Sequence, residues 1–290
     1  MPGKSGDSLK IVTTIGELRL LMDQARATGK SIGYVPTMGA LHEGHLSLMR
    51  RARRDCDVTI ASIFVNPLQF APTEDLASYP RVMQSDTAAA RGVGVELLFA
   101  PEVAEMYPIE MRSTVNVAEL SAPMEGTTRP THFAGVATVV AKLFNIVGSC
   151  RAYFGEKDFQ QLAVIRRMVA DLSFPVEVIG CPIIRESDGL AMSSRNIHLT
   201  PEQRSAAPLL FRALQAGARA ASKEPNNGGA IEKEVTDIVR QEPVIRLDYV
   251  ALVDAQTLLS PTDKTNERRL LIAAWLGDTR LIDNIDIDTH

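Results

Sequence analysis

The run from Val58 to Val65 is apolar at nearly every position and stops at Asn66-Pro67. A strand without polar alternation has no face to give to water, which suits a parallel sheet covered on both sides. The flanking sequence supplies the covering helices. Thr14 and Glu17 form a capping-box pair ahead of an apolar stripe at Ile15, Leu18, Met22 and Ala25 that ends at Gly29. A short extended run from Ile32 to Val35 closes at Pro36, and helical spacing returns from about Glu43 to Arg54. The alternation continues with weaker helical spacing at Val82 to Ala90, a strand at Val95 to Phe99 and a largely buried helix from about Phe133 to Val147. Tyr153-Phe154, the stripe at Leu162, Ile165 and Val169, and a strand at Val176 to Ile179 complete it. Repeated strand and helix units predict an α/β fold with a doubly wound parallel sheet and right-handed crossovers.

The texture changes after Ile184. Thr200-Pro201-Glu202-Gln203 offers an N-cap, a proline at the first helical position and a glutamine at the capping-box position, which predicts one long helix to about Ala221. A polar break from Lys223 to Gly229, a helix from about Ala230 to Arg240, and strands at Asp248 to Val253, Leu270 to Leu276 and Thr279 to Ile285 follow. The expected organisation is a doubly wound domain over residues 1–184 and a smaller α+β domain of helices and antiparallel sheet over 185–290.

Composition narrows the function classes. Hydrophobic residues fill 45% of the chain and charged ones 23%, which is globular and excludes wholesale disorder or a coiled rod. Thirty-one basic against thirty-five acidic side chains leave a formal charge of -4. No diffuse positive field is then available for a nucleic-acid backbone or an anionic membrane. Cys56, Cys150 and Cys181 are an odd number with no close pair, as expected of packing residues in a reducing compartment. No basic-then-apolar leader follows the polar start Met1 to Asp7, and no apolar run reaches transmembrane length. The expectation is a cytoplasmic protein.

The densest polar feature, Pro36-Thr37-Met38-Gly39-Ala40-Leu41-His42-Glu43-Gly44-His45, falls between a parallel-type strand and a helix. Carboxyl ends of strands and helix N-termini form the usual ligand crevice of such sheets, and an anion suits the unpaired amides there. His42 and His45 are three residues apart, so both rings can address one anion; the competing reading makes them local caps or satisfied core histidines. The pattern lacks the terminal Lys-Ser/Thr of a Walker loop and the GxGxxG of a dinucleotide site. A second cluster, Gly155-Glu156-Lys157-Asp158-Phe159-Gln160-Gln161, again follows a strand and offers a cation, a carboxylate and amides, or else a solvated helix cap. The third, Arg185 to Asn196, contains Ser193, Ser194 and Arg195 and reads as a phosphate-closing loop or as an ordinary linker. Gln69 could join Gln161 around a small polar substrate, Asp86 could anchor magnesium through water or phosphate or simply solubilise its helix, and Arg129 and His132 could close over a nucleotide or start a helix.

Five stretches taken in order resemble the pantothenate synthetase (pantoate–β-alanine ligase) family closely, over nearly the whole chain from Ile11 to Ile285. They are Pro36 to His45, Phe64-Val65-Asn66-Pro67-Leu68-Gln69-Phe70, His132-Phe133, Phe154 to Asp158 with Gln160-Gln161, and Met192-Ser193-Ser194-Arg195-Asn196. HxGH alone marks only a broad adenylyl-transfer superfamily; the ordered set is far more specific. The resemblance implies a Rossmann-like ATP domain, a smaller C-terminal lid, a homodimer joined through the N-terminal domain, and magnesium-dependent condensation of pantoate with β-alanine through a pantoyl adenylate. It implies catalytic roles for His42, His45, Lys157, Ser193, Ser194 and Arg195. Pantoate would meet Met38, Asn66, Gln69, His132 and Gln161. ATP would meet Pro36, Met38, Gly44, Gly155, Lys157, Asp158 and Met192 to Arg195, with Asp86 near magnesium.

Thr131, Ala134 and the turn Ala71-Pro72-Thr73 depart from the family pattern and bear on loop geometry more than on reaction type. The competing functions are an HxGH nucleotidyltransferase that releases an adenylylated product and an inactive ATP-binding protein.

Overall fold

Six short strands lie side by side in parallel: β1 (Lys10–Val12), β2 (Ile32–Thr37), β3 (Val58–Ile63), β4 (Leu97–Phe99), β5 (Cys150–Gly155) and β6 (Val176–Cys181). Their order is β1-β4-β3-β2-β5-β6, so the winding reverses between β2 and β5. This computed structural model describes residues 9–70, 76, 77, 79–224 and 227–287. The polar start Met1 to Asp7, the turn Ala71-Pro72-Thr73 and part of the Lys223 to Gly229 break lie outside the described residues.

Helices α1 (Ile15–Ala27), α2 (Glu43–Asp55) and α3 (Met83–Gly92) return the chain between strands. The short α4 (Val103–Met106), α5 (Ala118–Ser121) and α6 (Glu125–Thr128) precede α7 (His132–Val147), and α8 (Phe159–Asp171) follows β5. Thr14 caps α1 by accepting the Glu17 amide at 3.3 Å. Side chains alternate across the sheet. Val35, Ala61, Leu98 and Tyr153 pack with Leu48, Met49 and Ala52 of α2, whereas the Phe154 ring meets Phe144 of α7 edge-on with centroids 6.3 Å apart. Each fully buried side chain of this size is worth about 1.5–3 kcal/mol, and such two-sided burial is what the apolar run at β3 demands.

A second set of elements forms an antiparallel meander of β7 (Ile245–Asp254), β8 (Arg268–Leu276) and β9 (Thr279–Asp286). It is accompanied by α9 (Pro201–Ala206), α10 (Leu209–Lys223) and α11 (Gly228–Arg240). Leu210 and Leu214 of α10, Ile231 and Val235 of α11, and Leu270 and Ile272 of β8 share one core.

The chain divides into two compact units, the first holding Val164–Pro182 and the residues up to Glu156, the second holding Lys157–Ala163 and the chain from Ile183 onward. A single boundary near residue 184 puts Lys157–Ala163 with the sheet of six strands. In the structure they group with the meander: Asn284 donates to the Lys157 carbonyl at 2.9 Å, and the Arg269 guanidinium lies 4.6 Å from the Phe159 ring centre.

Two prolines change expected boundaries. Pro36 lies inside β2 and pairs with Ser62 of β3. The β5 side of β2 is paired only at Gly33 and Tyr34, so the missing N–H falls where the strand behaves as an edge. Pro208 splits the expected single long helix into α9 and α10 because it has no amide to continue the ladder. Among the described residues no helix is long and apolar enough to cross a membrane.

Candidate active site

The carboxyl ends of β2 and β5 meet where the strand order reverses, the usual ligand crevice of an open parallel sheet. Beyond β2 the chain turns through two left-handed residues, Gly39 at φ 90° and Ala40 at φ 51°. For alanine that conformation costs about 1–2 kcal/mol, so the surroundings must impose it. Thr37 donates its hydroxyl to the Ser62 carbonyl at 2.7 Å and accepts the Gly39 amide at 3.2 Å. Asp86, on the first turn of α3, accepts the Ala40 amide at 2.9 Å on Oδ2 and the Leu41 amide at 2.8 Å on Oδ1. Its carboxylate is buried, at 3% exposure.

His42 and His45 then open α2 as a reciprocal cap. The Gly44 amide donates to His42 Nδ1 at 3.2 Å, the His42 amide donates to His45 Nδ1 at 3.4 Å, and the ring centres are 4.2 Å apart. A nitrogen that accepts an N–H carries no proton, so each neutral ring bears its hydrogen on Nε2. A Cβ on Gly44 would come within 2.8 Å of His42 Cε1, and glycine is what lets the ring fold over the helix start.

After β3, Pro67–Gln69 form a 3-10 turn capped by Asn66, whose Oδ1 accepts the Leu68 amide at 3.3 Å and the Tyr107 hydroxyl at 2.8 Å. Burial pushes the Tyr107 phenol well above its ordinary range, so it stays a donor. The Asn66 amide donates to Gln69 Oε1 and to the Gly135 carbonyl, both at 3.2 Å. Gln69 Nε2 reaches Met38 Sδ at 2.7 Å. His132 Nδ1 donates to the Gln69 carbonyl at 3.0 Å, and Arg129 donates to His132 Nε2 at 3.2 Å. The carbonyl only accepts and the guanidinium only donates, which fixes the His132 tautomer.

In the second unit, Lys157 lies 3.7 Å from Asp158 and shares with Ser193, Asn196 and Asp283 the lining of a cavity of about 10 Å³. The stretch from Ile184 to Met192 is a tight hairpin: Met192 donates to Ile184, Glu186 pairs with Leu190, and Gly189 takes φ 95°. Arg185 anchors its base. It grips Asp283 at 2.6 and 2.9 Å, donates to the Gly189 carbonyl at 3.1 Å and stacks 3.6 Å from the Phe211 ring centre. Burial pushes the Asp283 carboxyl up against the pull of Arg185. On the outer side Arg204 holds Asp188 and Glu186, each at 2.6 Å, and keeps the Asp188 carboxyl below its ordinary range. Ser193 caps the 3-10 turn Ser194–His198, and Arg195 is exposed.

A family model described as pantoate-beta-alanine ligase matches residues 10–286. The chain belongs to the pantoate-beta-alanine ligase family. Pantothenate synthetase of Moorella thermoacetica is 50% identical over 283 residues, covering 97% of this chain and all of that protein. The crystal structure of pantothenate synthetase from Thermus thermophilus superposes with a TM-score of 0.90 at 48% identity, covering 96% of this chain and 99% of that one. A pantoate-beta-alanine ligase from Francisella tularensis, crystallised with beta-gamma ATP and beta-alanine, superposes with a TM-score of 0.79 at 31% identity over 98% of this chain and 99% of that one.

Within this ligase-family chain the first unit brings together Pro36, Met38, His42, Gly44, His45, Asn66, Gln69, Asp86 and His132, with Gly155 at the end of β5. Lys157, Asp158, Gln161, Met192, Ser193, Ser194 and Arg195 belong to the second unit. Three of these side chains are engaged within the first unit. Asn66 is 0% exposed and its amide donates to Gln69 Oε1. His132 spends both ring nitrogens on Gln69 and Arg129, so its ring holds the turn. Both Asp86 oxygens accept backbone amides, and the side chain is 3% exposed. Tyr107, Gly135, Asp283 and Arg204 were not singled out from sequence. A glycine inside an otherwise β-branched helix and an Asp-Asn pair inside a strand are the signals that mark Gly135 and Asp283.

Proposed function

We infer that the chain condenses pantoate with β-alanine, using ATP, to give pantothenate, AMP and pyrophosphate through a bound pantoyl adenylate. The observation that carries this reading is the His42–His45 cap, in a chain of this family, which sets two Nε2–H donors at the start of a 13-residue helix beside the carboxyl end of β2. The positive end of the helix and its amides favour the same anion.

In the first step a pantoate carboxylate oxygen attacks the α-phosphorus, and the bond to the bridging oxygen breaks to release pyrophosphate. No protein nucleophile is required; positioning and charge stabilisation suffice. His42 and His45 donate to the phosphoryl oxygens, with Pro36, Met38, Gly44 and Gly155 bordering the nucleotide. Lys157, Met192, Ser193, Ser194 and Arg195 take the phosphates, and Asp158 takes the ribose. Gln69, fixed by Asn66 and Met38, and Gln161 hold pantoate. In the second step the neutral amine of β-alanine attacks the acyl carbon, the bond to AMP breaks, and the amine's extra proton passes to solvent. Magnesium enters as part of the nucleotide complex, bound through phosphates. The family supports a homodimer joined through the first unit, working in the cytoplasm without nucleic-acid or membrane partners.

His42→Ala and His45→Ala should each lower the single-turnover burst of pyrophosphate by about 10²–10³-fold, the usual effect of removing one preorganised donor. Melting temperature is followed alongside. Near-normal bursts in both variants reject the assignment. Pyrophosphate release with an adenylylated product accumulating in solution, and no AMP after β-alanine is added, would favour the nucleotidyltransferase instead.

A further inference from the structure

Asp86 sits under the turn that delivers His42, and its geometry resembles that of a clamp. A carboxylate oxygen that coordinates magnesium must face an open or hydrated space. Here each oxygen faces a backbone amide, at 2.9 Å for Ala40 and 2.8 Å for Leu41, and the side chain is 3% exposed.

The two amides belong to the part of the chain that needs outside help. Ala40 is held at φ 51°, a region where an L side chain is strained. Gly39 precedes it at φ 90°, and a Cβ there would lie 2.9 Å from Asp86 Oδ2 and 3.1 Å from Ile63 Cγ2. Glycine leaves the room that the carboxylate occupies. The next residue after the clamped pair is His42, whose ring caps α2. The chain of cause runs from Asp86 through Ala40 and Leu41 to the direction in which both imidazoles donate. We propose that Asp86 is a positioning residue that imposes the left-handed turn ahead of His42, and is not a ligand for magnesium.

The proposal rests on the inferred reaction only where activity is read, so one arm of the test is independent of it. Asn at position 86 offers one acceptor and one donor in place of two acceptors, and one of the two amides then meets another N–H. Gly at position 40 enters the left-handed region without strain and needs the clamp less. The proteins compared are wild type, D86N, A40G and the double variant.

Amide exchange without substrates should find Ala40 and Leu41 protected in wild type, and exchanging about tenfold faster or more in D86N while the interior of α2 is unchanged. Pyrophosphate release from ATP and pantoate should fall about 10–100-fold in D86N, as small misplacements of catalytic groups do. The magnesium concentration giving half the maximal rate should stay at the wild-type value. A40G alone should remain within about twofold of wild type, and adding it to D86N should recover about three- to tenfold of the lost rate, because only the turn conformation was lost.

The proposal is overturned if excess magnesium restores D86N, if half-saturation moves with the rate, or if A40G gives no recovery. Should D86N not fold, wild type decides. Rapid exchange of both amides, or their selective broadening by manganese added alone, overturns the clamp. A wild-type protein that releases no pyrophosphate would remove the inferred reaction, while the exchange arm would still test Asp86.

Discussion

Gln69 in the first unit and Arg195 in the second are both assigned to ligands, yet they are supported in opposite ways. Gln69 is 7% exposed and is held without any carboxylate: by Asn66, by Met38, and by the His132 ring and the Arg129 guanidinium on its carbonyl. Arg195 is exposed, and the hairpin that leads to it is anchored by guanidinium–carboxylate pairs, Arg185 with Asp283 and Arg204 with Asp188 and Glu186. A network of amides, a thioether and backbone packing, with no ion pair in it, is little weakened by salt. An ion-paired base with exposed tips leaves those tips open to solvent, and its outer pairs are screened by salt.

The largest effect is expected at the buried ion pair. Arg185→Met leaves Asp283 buried at 4% exposure without its partner, and loss of one member of such a pair costs about 3–5 kcal/mol. Urea unfolding checks this. A loss below that of the next variant would break the contrast, because it would mean that charge is not what holds the hairpin.

Gly135→Ala tests the side without an ion pair. A Cβ there would lie 2.2 Å from the Leu68 carbonyl oxygen and 2.6 Å from Gln69 Cα. Backbone would have to yield, at about 1–3 kcal/mol. The same shift should weaken pantoate binding, read by calorimetry with a nonhydrolysable nucleotide, and the stability loss should be equal at low and high salt. A salt-dependent loss, or unchanged pantoate binding, would show that the turn is not held by packing.

The smallest effect belongs to Asp188→Asn. Arg204 holds this carboxyl below its ordinary 3.8. A depressed carboxylate stabilises the fold above the ordinary value, and the contribution is lost as pH falls through the lower folded value. The side chain is 40% exposed, so screening limits the pair to about 0.2–1 kcal/mol. Melting curves of wild type and variant should therefore differ above pH 3.8, converge in stronger acid, and approach each other in high salt. A gap that persists in acid would assign the effect to packing.

The sheet was legible because its central strand is the most apolar and α1 opens on a side-chain cap that the sequence displays. Lys10–Val12 was not, since three residues carry no periodicity and become a strand only by pairing with β4. Pro208 was visible, yet the apolar pattern on either side continues through it, and only the broken hydrogen-bond ladder separates α9 from α10. At the site, residue types were readable and directions were not. Asn66 and Gln69 differ by one methylene, but the fold buries the first completely and turns it onto the second. An aspartate suits a cation or two amides equally well, and nothing in the sequence around Asp86 says that Ala40 and Leu41 will reach it first. His42 and His45 read equally as caps, as core histidines or as donors to an anion, and the geometry shows the cap, with the donor role proposed upon it.

Where α7 lies backbone to backbone against the Asn66–Gln69 turn, there is no side chain to shorten. A redesign of the proposed Gln69 contact for a bulkier hydroxy acid would therefore find that wall incompressible. The adjustable neighbour is Met38, whose thioether meets the Gln69 amide and whose unbranched chain tolerates repacking, so altered acid selectivity should begin there.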